Sequence, residues 1–273
     1  MSPSWPWHLA GLQAWLPDSL NVLGFGPSWS ISVELFLYAT LPILILCLRP
    51  LVTVRRLVVA MLITIVAMLA IATWFQHARG SLAVTDPDSA HRWLYLTPLS
   101  RIGDFLLGIL AARLYVNLRG RPRAESAGTA IAIVGVLAIA FFMTQSWMYL
   151  SAYSWDVGFA VPAVVLIFGV ALSPRAPLSK LFALPALVLL GEASYAFYLI
   201  HASVAEGLGA TAWIGATSTS TLGLEVLSLG LVLAMAIGLH IGLERPARVF
   251  FRRVLDRRRP SPAVRAPVLV HYG

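Results

Sequence analysis

The sequence predicts an all-α integral membrane protein, a bundle of about seven transmembrane helices with its N-terminus outside and its C-terminus in the cytoplasm. Three observations predict it. Of 273 residues, 59% are hydrophobic and only 12% charged, about half the charge of an ordinary soluble domain. Apolar runs recur at the length of roughly twenty residues that crosses a bilayer core. The basic residues, nineteen Arg and the single Lys180, gather in alternate connections between those runs. The formal charge of +8 therefore reports topology, and no nucleic-acid partner is expected.

Residues 1–28 read as an outer interfacial segment rich in tryptophan. Seven apolar segments follow, at about 29–48, 55–75, 96–116, 127–147, 155–173, 184–206 and 222–243. The run from Leu57 to Gln76 is uncharged, whereas the third segment contains Arg101, Asp104 and Arg113. Charge settles that segment. Arg49, Arg55 and Arg56 follow the first segment, Arg113 to Arg123 the third, Arg175 and Lys180 the fifth, and eight arginines from Arg245 to Arg265 the seventh. These are 17 of the 20 basic residues, and they alternate with connections holding only Arg79, Arg92 and Arg101. The positive-inside bias requires that alternation only if the third segment spans. All nine tryptophans, from Trp5 to Trp213, fall in or beside the outer connections, where indole rings favour the interface.

The domain reading is thus an outer segment at 1–28, a transmembrane domain at 29–246 and a basic cytoplasmic tail at 247–273 whose prolines, from Pro260 on, predict disorder and whose arginines suit anionic lipid. The opening residues lack the basic n-region and apolar core of a signal peptide. An outside N-terminus without a signal predicts further helices upstream, hence a truncated chain. The polar loop from Gln76 to Trp93 and the Thr/Ser/Gly stretch from Thr211 to Thr221 read as plain connectors.

A charge at bilayer depth costs on the order of 3 kcal/mol on insertion scales, so such residues mark function or pairing. Glu34, Arg101, Asp104 and His201 each fall about five residues from the outer end of a predicted span, which at roughly 1.5 Å per residue puts all four in the outer third of the membrane. One level on three helices predicts one site. Ser194, Tyr198 and His201 recur at i, i+4 and i+7, one face of a helix, and that face is expected to point inward. Arg101 and Asp104, at i and i+3, can neutralise one another, which explains Asp104 as well as a functional role does. Glu34 has no basic residue one turn away. His240 and Glu244 read as a structural pair at a helix end.

Several functions are excluded by residue content. A retinal protein needs a lysine within a helix for its Schiff base, and Lys180 lies in an inner connection. A bis-histidine haem needs two histidines at one depth, but His201 lies near the outer face and His240 near the inner. Cys47 alone supports neither a disulfide within the chain nor a cysteine metal cluster. No H-E-x-x-H, G-x-S-x-G or phosphate-cradling Gly-rich loop occurs. No bound cofactor and no metal are expected.

Four local motifs carry a resemblance. Trp29-Ser30-Ile31-Ser32-Val33-Glu34-Leu35-Phe36-Leu37-Tyr38 resembles the W-S-[LI]-[SA]-V-E-x-x-F-Y signature of the acyltransferase-3 family of membrane-bound O-acyltransferases. Arg101 to Gly108, R-I-G-D-F-L-L-G, resembles the family's R-x-x-[ED]-F-x-x-G helix. Gly191 to His201, G-E-A-S-Y-A-F-Y-L-I-H, resembles its S-Y-x-[LF]-Y-L-x-H segment, and Leu243-Glu244-Arg245-Pro246 its closing E-[KR]-P motif. The four stand in family order.

The resemblance implies transfer of an acyl group, usually acetyl, from cytoplasmic acyl-CoA (acetyl-CoA as co-substrate) to a hydroxyl of a cell-surface carbohydrate or related glycan, in the bacterial inner (cytoplasmic) membrane. It implies catalytic roles for Glu34, Arg101 and His201 and substrate-binding roles for Trp29, Ser32, Tyr38, Ser194 and Tyr198. The family's ten-helix core opens with a helix bearing a basic residue and a histidine, the favoured base, which this sequence does not contain. Seven helices is the count left when three are lost, so this chain is expected to need a partner chain supplying them, or to be inactive alone. The alternatives are a non-catalytic membrane fragment or subunit and a transporter, whose substrate site the same polar level would form.

Overall fold

The computed structural model describes residues 5–16, 26–78, 86, 88–149, 151–208 and 222–257. Among these residues the chain is helical, with no strand. It divides into two compact units, Met1–Val188 and Leu189–Gly273.

The first unit holds α1 (Trp5–Leu9), α2 (Trp29–Leu48), α3 (Val54–Ala78), a π-helical segment (His91–Leu96), α4 (Ile102–Leu118), α5 (Pro122–Thr144), α6 (Val157–Leu172) and the short α7 (Pro177–Phe182). Next comes α8 (Pro185–Gly207), which runs from the first unit into the second. The second unit continues with α9 (Leu222–Leu239), a π-helical turn (His240–Glu244) and α10 (Arg245–Arg257). Proline opens α5, α7 and α8, at the first-turn position where its missing N–H leaves no helical bond unmade.

All seven predicted segments are helical. Five helices are long and apolar enough to cross a membrane: α2, α3, α5, α8 and the continuous helix Gly223–Val254. The protein is an all-α integral membrane protein. Two segments are shorter, α4 with 17 residues and α6 with 16.

Two boundaries differ from the sequence reading. The third segment was expected to start near residue 96, but Thr97 is extended and precedes Pro98, and α4 starts only at Ile102. The residue before a proline is pushed out of the helical region. Arg101 therefore sits at the N-cap of α4 and not a turn and a half inside it. At the other end, the helix does not stop at His240–Glu244 but continues through Arg257, into the segment read as the start of the tail. The Thr211–Thr221 stretch, Arg79 and the proline-rich end from 258 on lie outside the described residues.

The first unit is held by small residues. Ala132 and Gly135 of α5 face α6, and a Cβ on Gly135 would lie 2.6 Å from the Leu166 backbone nitrogen, while one on Gly169 would lie 2.3 Å from the Ala132 nitrogen. Close backbone approach of this kind is how helices associate where lipid removes the hydrophobic driving force. A second contact joins α3 to α4, where Leu57, Leu110 and Leu114 are buried together. Arg113 donates to the carbonyl of Leu48 and, at 3.5 Å, to that of Arg49. It thereby caps the C-terminal end of α2, where helix carbonyls lack partners and the dipole favours a cation. That accounts for one of the charges that made the third segment doubtful.

Candidate functional site

At the opposite ends of these helices the chain builds a polar cluster in the first unit. Its floor is fixed by Arg92, only 4% exposed, whose guanidinium donates to the Ala14 carbonyl at 2.8 Å and to Thr97 Oγ1 at 3.2 Å. Gln13 donates to the Ser28 carbonyl at 2.7 Å, and Trp15 packs edge-on to Phe36 at 5.1 Å. The segment before α2 is thus tied to both α2 and the π-helical segment. A Cβ on Gly11, whose φ is +67°, would meet Leu35 at 2.4 Å, so only glycine lets that segment lie on α2.

Arg101 is the centre. Its Nε donates to the Tyr95 carbonyl at 2.9 Å, its Nη1 donates to Asp104 Oδ2 at 2.8 Å, and its guanidinium carbon stands 4.6 Å from the centre of the Tyr95 ring, a cation–π distance. Trp29 meets the same ring at 4.9 Å. His91 stacks on Tyr95 at 5.3 Å and meets the edge of Trp155 at 5.1 Å. Asp156, 5% exposed, is near enough to feel the charges of Asp104 and Arg101. Burial, with Arg101's positive charge added, pushes the His91 imidazole down to about 4. His91 is therefore a neutral ring at physiological pH.

Besides Arg92 Nε at the floor, four buried atoms around Arg101 lack a hydrogen-bond partner among the described residues: Arg101 Nη2, Asp104 Oδ1, Asp156 Oδ1 and His91 Nδ1. So do the hydroxyls of Ser30 and Ser32 in the first turn of α2. An orphaned buried polar group costs about 1–3 kcal/mol, and native proteins place such groups where a water, ion or substrate completes them.

The predicted site residues divide between the units. Trp29, Ser32, Glu34, Arg101 and Asp104 lie in the first. Glu34 is half-buried on α2 and forms no ion pair among the described residues. Tyr38 lies on the same helix but is 64% exposed. Ser194, Tyr198 and His201 lie on α8 in the second unit. There His201 Nδ1 is 2.6 Å from the Tyr198 carbonyl; a carbonyl only accepts, so Nδ1 donates. Its ring is parallel to Phe197 at 6.0 Å. Ser194 donates to the Gly191 carbonyl at 2.8 Å and lines a crevice of about 230 Å³ with Phe197, Leu229 and Leu233. Buried His240 lies 3.1 Å from Glu244 and 3.4 Å from Glu192 of α8, so it joins α8 to the π-helical turn instead of ending a helix.

Sequence reasoning missed His91, Tyr95, Trp155 and Asp156. Trp155 had been noticed only as an interface marker. The available signal was Asp156 itself, a carboxylate at the edge of an apolar run with no basic residue within four positions. A cleft of about 470 Å³ between α3, α5 and α6 is lined by apolar groups such as Ile65, Val134 and Val161 and offers nothing for bond-making chemistry.

A family model described as an acyltransferase domain matches residues 3–241. The chain belongs to the acyltransferase-3 family. Acyltransferase MdmB of Streptomyces mycarofaciens is 31% identical over 261 residues, 91% of this chain and 64% of that protein, so the chain spans under two-thirds of this relative's length. No solved structure matches. Within the family frame, the W-S-I-S-V-E motif opens α2, R-I-G-D-F-L-L-G opens α4, the S-Y-A-F-Y-L-I-H segment lies within α8, and L-E-R-P bridges the π-helical turn and α10.

Proposed function

We propose that the chain carries the chemistry of a membrane O-acyltransferase moving an acyl group, acetyl in the first instance, from cytoplasmic acyl-CoA to a hydroxyl of a cell-surface carbohydrate or related glycan in the bacterial inner membrane. The family match carries this reading. O-acyl transfer needs a base for the hydroxyl proton, a donor for the oxyanion of the tetrahedral intermediate and a place for the thioester. Arg101 suits the second need, since Nη2 is buried without a partner while Nη1 and Nε are held by Asp104 and the Tyr95 carbonyl. A donor fixed in advance in a water-poor site stabilises developing charge without reorganising.

Glu34 orients and charges the base, which the family resemblance places on a histidine-bearing helix upstream of this chain. His201 and Tyr198 contact the acceptor; Trp29 and Ser32 line the Glu34 side. A cavity of about 630 Å³ lined by Leu118, Arg121, Arg123 and Phe168 suits the donor: arginines for the CoA phosphates and an apolar wall for the acyl chain. The 64% coverage of MdmB favours one second reading, a subunit that acts with a partner chain.

Two comparisons test the proposal. Cells expressing the 273-residue chain, or the chain extended to any earlier in-frame start, are scored for labelled acetyl in surface glycans. Transfer by the extended form alone places the base upstream; transfer by the shorter form places it within the chain, with His201 the first candidate. Glu34→Gln in whichever form is active removes a group acting on the base, so transfer falls by about 10² or more with membrane-inserted protein unchanged; retained transfer refutes the role.

A further inference from the structure

The proposed chemistry leaves three residues of the polar cluster without work: His91, Trp155 and Asp156. They lie on the π-helical segment and at the entry to α6, where His91 feels the charge of Arg101 and Asp156 those of Asp104 and Arg101. His91 Nδ1, Asp156 Oδ1, Asp104 Oδ1 and Arg101 Nη2 are all buried without partners. Together they offer one fixed donor in Arg101 Nη2, an acceptor in Asp104 Oδ1, and two groups able to do either: the His91 ring nitrogen and the Asp156 carboxyl, pushed up to about 7. A guest whose groups both donate and accept completes all four, as adjacent hydroxyls on one ring do. The ring of Trp155, edge-on to His91 at 5.1 Å, adds aromatic surface for the apolar C–H face of such a ring. Charge selects further: Asp104 balances Arg101, and neither His91, held near 4, nor Asp156, whose carboxyl is pushed up to about 7 by burial and the Asp104 charge, carries a full charge at neutral pH. A cluster without a spare positive charge offers an anionic guest such as a phosphate no counter-ion.

We propose that His91, Trp155 and Asp156, with Arg101 and Asp104, form a seat for a neutral, polyhydroxylated ring of the acceptor, a sugar ring by chemical class. Its place in catalysis rests on the acyltransferase reading; its binding does not. No bond is made or broken at the hydroxyls held in the seat: the ring is held by hydrogen bonds to Asp104, Asp156, His91 and one Nη2 N–H of Arg101, and the other Nη2 N–H remains for the oxyanion.

The full chain in lipid nanodiscs is tested by saturation-transfer NMR with methyl α-D-glucopyranoside and methyl α-L-rhamnopyranoside, with glucose 6-phosphate as the anionic counterpart. The expected result is saturable binding of at least one glycoside, weaker or absent binding of the phosphate, and about tenfold weaker glycoside binding in both Asp156→Asn and the shape-conserving Trp155→Phe, each with an unchanged melting temperature. Binding unchanged in both variants overturns the seat, as does a wild type that binds neither glycoside, which would leave ordered water as the cluster's only guest. Glycoside binding in a chain that transfers no acyl group, alone or extended, supports the seat and contradicts the acyltransferase reading. Acyl transfer with glycoside binding that ignores both substitutions supports that reading and overturns the seat.

Discussion

Two regions of the first unit obey opposite rules. Where α5 meets α6, glycine and alanine bring backbones together so closely that a single added methyl at Gly135 or Gly169 would fall within 2.6 Å of a backbone nitrogen. Around Arg101, four buried polar atoms have no partner. The first region is fully matched within the chain, and its only product is a fixed helix pair. The second leaves groups without a partner from the chain, and each would cost about 1–3 kcal/mol unless water or a ligand meets it. What is complete in itself holds the fold; what is incomplete awaits something from outside.

Breaking the matched region has the largest expected effect. Gly169→Leu places a branched side chain against the Ala132 backbone, and overpacking of this kind costs about 1–3 kcal/mol even in cores that can yield. The variant should fail to accumulate as folded protein, measured by size-exclusion fluorescence of a tagged form, whereas Gly108→Ala on α4, whose added Cβ meets nothing within 4 Å, should behave as wild type.

A smaller loss is expected at Arg92. Its guanidinium ties Ala14 to Thr97, and Arg92→Met leaves the Ala14 carbonyl without that donor, so the melting temperature should drop by several degrees; an unchanged value would show that the segment before α2 is held by its aromatic packing alone.

The smallest effect concerns pH. An unfolded histidine takes up a proton near 6.5, but folded His91 does so only near 4. Between those values the unfolded chain binds more protons, so His91's contribution to stability is present above about 6.5 and is lost as the pH falls toward 4. Wild type should therefore lose melting temperature faster than His91→Gln on acidification from pH 7 to pH 4.5. Parallel curves would mean that the ring is not shielded.

The contrast also explains what the sequence disclosed. Helices in all seven segments were legible because apolar length is a property of the chain alone, and the alternation of arginines singled out the weak third segment. The start of α4 was not, because hydropathy passes smoothly through Thr97-Pro98 while the backbone does not. Glu34, Arg101 and His201 were visible as charges or polar rings in apolar runs. His91 and Asp156 were not, since each lies at or beyond the edge of a run, where a polar residue is ordinary; only the fold brings both next to Arg101. Arg113 misled in the other direction: a buried-looking charge turned out to cap α2.

The central claim is that the Arg101 cluster is kept for chemistry and not for stability, and the double variant Arg101→Met/Asp104→Leu tests it most directly. The two side chains are only 14% and 29% exposed, and replacing a largely desolvated ion pair by apolar groups of similar size is often neutral or stabilising. In the active form of the protein, the variant should melt within a few degrees of the wild-type temperature, the Tyr95 carbonyl losing its Arg101 donor, and lose labelled acetyl transfer by at least about 10²-fold, the scale of removing one preorganised oxyanion donor. A variant that melts well below wild type yet transfers acetyl at the wild-type rate would contradict the claim and make Arg101–Asp104 a structural pair.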